Sequence, residues 1–184
     1  DESAVQAALA ALEASVQEAQ NVMPASIACA KAGVEFINIG PVRGDAAAFL
    51  KAEWIQPRPS TDVALMLGLA HTLVSENLHN PDFMAKYCVG FDRFLPYLMG
   101  EADGQAKDAD WAAAIVDLEA GQIRALARRM AAKRTLINVA WSLQRTEHGE
   151  QPFWMVITLA AILGQIGLPG GGFGLGYGSA APLG

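Results

Sequence analysis

The sequence is short of residues that hold metals. It has two cysteines, Cys29 and Cys88, and three histidines among 184 residues. The cysteines lie far apart with no CxxC or Cys/His spacing, so zinc and iron–sulfur chemistry has no support. Both thiols are expected to be buried hydrophobes. Positive charge is scarce as well: 13 Lys and Arg against 19 Asp and Glu leave a net charge of −6. A nucleic-acid partner, which needs a basic surface, is therefore disfavoured. The longest apolar run, from Phe153 to Leu163 with Thr158 inside it, is too short to cross a bilayer, so no membrane span is expected. No signal peptide is visible and no Met begins the chain, so both ends read as cut from something longer. The G-x-G-x-x-G spacing of a dinucleotide loop is missing too. After Gly40 it fails at Val42, and the later run Gly170–Gly178 follows a helix rather than a strand.

What is present is a globular, somewhat apolar composition, 52% hydrophobic and 17% charged, long enough for one core without staples. An amphipathic helix is predicted over residues 3–20, opened by the capping box Ser3-Ala-Val-Gln6. A short helix over 24–32 should end at Gly33, followed by a strand over 34–39 and the turn from Gly40 to Gly44. Residues 46–51 read as helical and 53–56 as a short strand. The Pro57-Arg-Pro59 break precedes Ser60-Thr-Asp62, which should cap a helix over 63–75 that is apolar nearly all round and so buried. From 76 to 112 the chain reads as short helices and turns, with the aromatics of 91–98 in the core. The helix over 119–133 ends in Arg128, Arg129, Lys133 and Arg134, which read as solvated surface.

A buried strand over 135–140 then feeds a polar loop, Trp141-Ser-Leu-Gln-Arg-Thr-Glu-His148, and a helix over 151–166. Loops leaving the carboxyl end of such strands are where open α/β sheets bind ligands. The plainer reading is an ordinary connection with solvated charges. The glycine run 170–178 reads as a flexible linker, expected to be poorly anchored, or as backbone passing close to a large flat ligand. The alternation of helix and strand argues for α/β: a three-layer, Rossmann-like domain with one mostly parallel sheet that includes 34–39 and 135–140. The domain should run over 25–178, after a helix at 1–24 of uncertain origin and before a cut end at 179–184.

Three stretches together carry a family resemblance: 57–73, 141–151 and 164–174. In that order they resemble the molybdopterin oxidoreductases, in particular the trimethylamine-N-oxide, dimethyl-sulfoxide and biotin-sulfoxide reductases. The resemblance runs from about Gly33 to Gly178. It implies one α/β domain of a longer chain that reduces S- or N-oxides by oxygen-atom transfer. This domain would hold one guanine-dinucleotide half of a bis(molybdopterin guanine dinucleotide) molybdenum cofactor. Its partners would be the remaining domains of the same reductase and a cytochrome- or quinol-linked electron donor. The location would be periplasmic, or cytoplasmic as in biotin-sulfoxide-type members.

Carried over by position, the resemblance sets Ile39, Gly40 and Pro41 against the guanosine and Ser60 and Asp62 at the guanine. Trp141 and Arg145 fall beside the pterin and its phosphates, with Gln144 and His148 near them. Gly40 stands where the family commonly has an acidic residue, which removes one contact. No position matches the serine that ligates the metal, so the 184 residues alone should be catalytically silent. The competing reading is a binding or structural module, natural or engineered, that reuses the scaffold without the cofactor.

Overall fold

The computed structural model describes residues 25–175, and the predicted helix over 3–20 and positions 176–178 of the glycine run lie outside them. The chain divides into two compact units, with the boundary between Gln56 and Pro57.

In the first unit residues 25–31 are helical (α1), and Ile37–Ile39 (β1) pairs in parallel with Glu53–Ile55 (β2). The expected helix over 46–51 is instead two 3-10 turns, Arg43–Asp45 and Ala48–Leu50. Cys29 is exposed and Cys88 half-buried, so neither thiol is the buried hydrophobe expected.

The second unit is built on Asp62–Ser75 (α2), a helix with Ala64 through Ala70, Thr72 and Leu73 all buried. Around it pack Phe91–Met99 (α4), Ala109–Val116 (α5), Ala120–Ala132 (α6) and Gln151–Leu163 (α7). Pro81–Tyr87 (α3) lies on α7 and starts where Asn80 accepts the Phe83 N–H at 2.9 Å, with Pro81 next in line. Asp108 caps α5 likewise, accepting from the Trp111 N–H at 2.8 Å. Such caps satisfy backbone donors that a helix leaves open at its start.

The centre is filled by Leu73, Leu98, Val116, Ile123, Val156, Leu159 and Ile162, all essentially removed from water. Each contributes roughly 1.5–3 kcal/mol of burial. The aromatics of 91–98 are not the core expected there. Leu98 is, while Tyr97 is 40% exposed. The one buried cation among the described residues, Lys107, donates to Asp103 at 2.7 Å and to the Gln105 carbonyl, beneath the Tyr97 ring at 4.3 Å. Nor is the basic end of α6 merely solvated: Arg128 grips Glu76 with two bonds of 2.8 and 2.7 Å, which ties α6 to the end of α2.

Leu136–Val139 (β3) pairs in parallel with Gly172–Leu175 (β4), Leu136 opposite Gly172 and Val139 opposite Leu175. Two expectations are corrected here. The strands at 37–39 and 136–139 do not share a sheet: among the described residues there are two separate two-stranded parallel sheets. Nor is the glycine run loose up to Leu175, since four of its residues are a strand. β3 is also less buried than its apolar sequence suggests, with Leu136 52% exposed. The α/β class itself stands, with buried helices α2 and α7 as expected. α7 ends at Leu163 rather than 166, because Gly164 takes the left-handed conformation that closes a helix.

Candidate functional site

Two places carry the residues singled out in the sequence. In the first unit, Ile39, Gly40 and Pro41 form the turn leaving β1. The turn is fastened from β2 and its exit. The Gly40 N–H donates to the Ile55 carbonyl at 3.1 Å, the Trp54 indole N–H to the Gly40 carbonyl at 2.9 Å, and Gln56 to the Pro41 carbonyl at 3.4 Å. Arg43 stands 6.0 Å over the Trp54 ring. Trp54 and Gln56 were missed in the sequence because their role is to hold backbone, which leaves no motif.

In the second unit, Ser60 is exposed and left-handed (φ 64°), turning the chain sharply into α2. The helix cap is Thr61, whose hydroxyl donates back to the Arg58 carbonyl at 2.6 Å and so caps nothing. Asp62 is therefore not the cap expected but the first helical residue. Its carboxyl is half-buried, and burial pushes its pKa above the ordinary aspartate value, opposed in part by a hydrogen bond from its own backbone N–H. No side-chain donor and no cation faces it among the described residues.

A raised acid pKa means the folded state holds the proton more tightly than the unfolded chain. The stabilising contribution is then full below the ordinary aspartate pKa and is lost as pH rises through the raised value. Asp62→Asn should accordingly melt above the parent at neutral pH, and the gap should close on acidification below the carboxylate range. Thermal unfolding across pH checks this; a variant less stable than the parent at neutral pH would contradict it.

The loop after β3 is a 3-10 helix, Trp141–Arg145, followed by a turn. The Leu143 carbonyl accepts from the Thr146 hydroxyl at 3.2 Å, and the Gly149 N–H bonds the Thr146 carbonyl at 3.1 Å. Trp141, Gln144, Arg145 and His148 are all exposed, and none of the first three bonds another described side chain. His148 is left-handed (φ 57°), and its ring nitrogen is 3.9 Å from Glu147, too far for a hydrogen bond. The residue the sequence reading passed over is Gly149. A Cβ there would sit 2.3 Å from the Gln144 carbonyl oxygen and 2.5 Å from its carbon, so only glycine lets the loop close on itself.

Asp62 and the 141–148 loop stand at the amino ends of α2 and α7, two helices that pack on each other. Past the end of α2, the Asn80 N–H donates to the Ile162 carbonyl of α7 at 2.9 Å, and Gly164 abuts the Asn80 side chain. The carboxyl ends of α2 and α7 are thus neighbours. No hydrogen bond joins the groups among the described residues. Asp62 offers a carboxylate acceptor, and Arg145 with Gln144 and the Trp141 indole offer donors and a flat ring. Arg pairs with pyrophosphate in bidentate fashion, and a half-buried carboxylate suits an edge with two N–H groups.

The family model for molybdopterin oxidoreductases matches residues 12–181. The chain belongs to the molybdopterin oxidoreductase family. Within it, the chain is 55% identical over 145 residues to a dimethyl sulfoxide/trimethylamine N-oxide reductase of Rhodobacter capsulatus, covering 79% of this chain and 18% of that protein. It is 55% identical over 147 residues to trimethylamine-N-oxide reductase 1 of Escherichia coli K12, covering 78% and 17%. Among solved structures, acetylene hydratase from Pelobacter acetylenicus matches with a TM-score of 0.65 at 25% identity, over 76% of this chain and 18% of that one. This molybdopterin-family chain therefore spans under a fifth of the length of these relatives. The family implies a molybdenum–pterin cofactor.

Proposed function

We propose that the chain is part of a molybdenum oxidoreductase that reduces S- or N-oxides, and that it holds one guanine-dinucleotide half of a bis(molybdopterin guanine dinucleotide) cofactor. The S-/N-oxide reductases among its relatives support the first half of this reading. The observation that carries the second is Asp62, a half-buried carboxylate without a side-chain partner among the described residues, at the start of a buried helix. Bound in the longer protein, the cofactor supplies two-electron oxygen-atom transfer. This chain's residues bind and orient. Asp62 accepts from the N–H edge of guanine, with Ser60 beside it, while Arg145 and Gln144 donate to phosphate. Trp141 offers a ring face to the pterin and His148 borders it. In the first unit, Trp54 and Gln56 hold the Ile39-Gly40-Pro41 turn. The same reading gives the longer protein further domains, a cytochrome- or quinol-linked electron donor and a periplasmic location.

Calorimetric titration with GDP and ADP tests the base assignment. A charge-assisted hydrogen bond contributes on the order of 1.5–3 kcal/mol, so Asp62→Ala should weaken GDP binding by roughly one to two powers of ten. ADP binding should hardly change. Equal binding of the two nucleotides by the parent, or a variant that matches it, would leave Asp62 without a ligand role.

A further inference from the structure

The stretch 164–174 carries part of the family likeness, yet none of its side chains enters the site above. Its one polar side chain, Gln165, makes two hydrogen bonds to the chain just ahead of β3. Its Oε1 accepts the Thr135 N–H at 2.6 Å, and its Nε2 donates to the Lys133 carbonyl at 3.0 Å. Accepting from the N–H of one residue and donating to the carbonyl two residues earlier is what a residue of a parallel neighbouring strand does. The backbone ladder continues the pattern, with the Gly172 N–H donating to the Thr135 carbonyl at 3.1 Å and Gly172 opposite Leu136. Stepped back two residues, that register would set residue 170 against Arg134. There the backbone has left the strand, since Gly170 is left-handed (φ 74°). The Gln165 amide bonds where a strand residue at that position would. Gly171 passes over it so closely that a Cβ would lie 2.9 Å from the Gln165 carbonyl oxygen and 3.2 Å from its Cβ. Arg134 adds a bond to the Pro169 carbonyl at 3.0 Å.

We propose that Gln165 is a positioning residue for the cofactor loop: its side-chain amide acts as an extra rung that sets β3 against β4. β3 runs directly into Trp141–Arg145, so a shift of its frame is a shift of the loop. The connection to a nucleotide rests on the function proposed above; the connection to β3 does not.

The test compares amide hydrogen exchange, residue by residue, in the parent, Gln165→Ala and Gln165→Glu. Losing two hydrogen bonds should speed exchange of 136–139 and 172–175 by about tenfold or more, with the buried amides of α2 unchanged. At neutral pH Gln165→Glu keeps the acceptor, loses the donor and should behave like the alanine variant. Below the carboxylate range its protonated acid again both donates and accepts, so exchange should return toward that of the parent at the same pH. Val116→Ala, a core change in α5, provides a general loss of stability for comparison and should not single out the two strands. Strand exchange within about twofold of the parent in Gln165→Ala would overturn the proposal. So would a glutamate variant that shows no recovery in acid. GDP titration gives the second readout: Gln165→Ala should bind more weakly than the parent, and equal affinity would overturn the link to the loop. If the parent itself binds no GDP, the nucleotide reading fails, and the exchange ratios alone decide the role of Gln165.

Discussion

Gly149→Ala is expected to weaken guanine-nucleotide binding by about a hundredfold, because a displacement of about 1 Å in a binding constellation costs that much. The added methyl would sit 2.3 Å from the Gln144 carbonyl oxygen and 2.7 Å from its Cα. These are backbone atoms, so no rotamer change relieves the overlap, and the segment carrying Gln144 and Arg145 must move. The helices beneath need not. α2 and the inner face of α7 are packed independently of this turn, so their amide protection should match the parent. Calorimetry with GDP, paired with exchange in α2, separates the two effects. Undiminished affinity would show that the fold of the loop is irrelevant to the ligand; protection lost throughout the unit would show a structural defect instead.

Gly68→Val is expected to destabilise the second unit by about 3 kcal/mol, near the top of the usual cost of overpacking a core. Gly68 is a helix-interior glycine, which ordinarily lowers stability relative to alanine by roughly 1 kcal/mol. Here it is needed because α5 crosses close by: a Cβ at 68 would lie 2.6 Å from the Ala112 Cβ and 3.4 Å from Ile123. The discriminating experiment is a rescue. Gly68→Ala combined with Ala112→Gly moves the methyl from one helix to the other and keeps the approach. The pair should unfold in denaturant closer to the parent than Gly68→Ala alone. Additive losses in the double variant would rule out the close crossing as the cause.

The helices α2 and α7 could be read from the sequence because each buries a broad apolar face. Gln151–Leu163 is apolar almost throughout, and Asp62–Ser75 has polar side chains at only a few positions, so pattern and burial agree. The strands were legible as β1, β2 and β3 but not in their partnership. β4 is Gly-Phe-Gly-Leu, and glycine has no side-chain preference for a strand, so composition pointed to a linker. What makes it a strand is backbone pairing with β3, aided by an amide from Gln165, and neither leaves a pattern along the chain. In the candidate site, Asp62, Trp141 and Arg145 could be singled out because the resemblance covers the stretches that hold them. Its supports were not. Gly149 acts by lacking a side chain, Thr61 occupies the cap without capping, and Trp54 and Gln56 hold a turn through carbonyls.

The pairing of β3 with β4 also governs the order in which the chain can fold. The two strands meet only after all of α7 has been laid between them, so their contacts are distant in sequence and carry a loop-closure cost before any rung rewards it. Contacts between α5 and α6, which follow each other directly, need much shorter closures and can form earlier. The ladder is thus a late event, and on a ribosome it cannot begin until the glycine-rich stretch has emerged. Until then the Trp141–Arg145 loop hangs from an unpaired strand and gains its support only when β4 arrives.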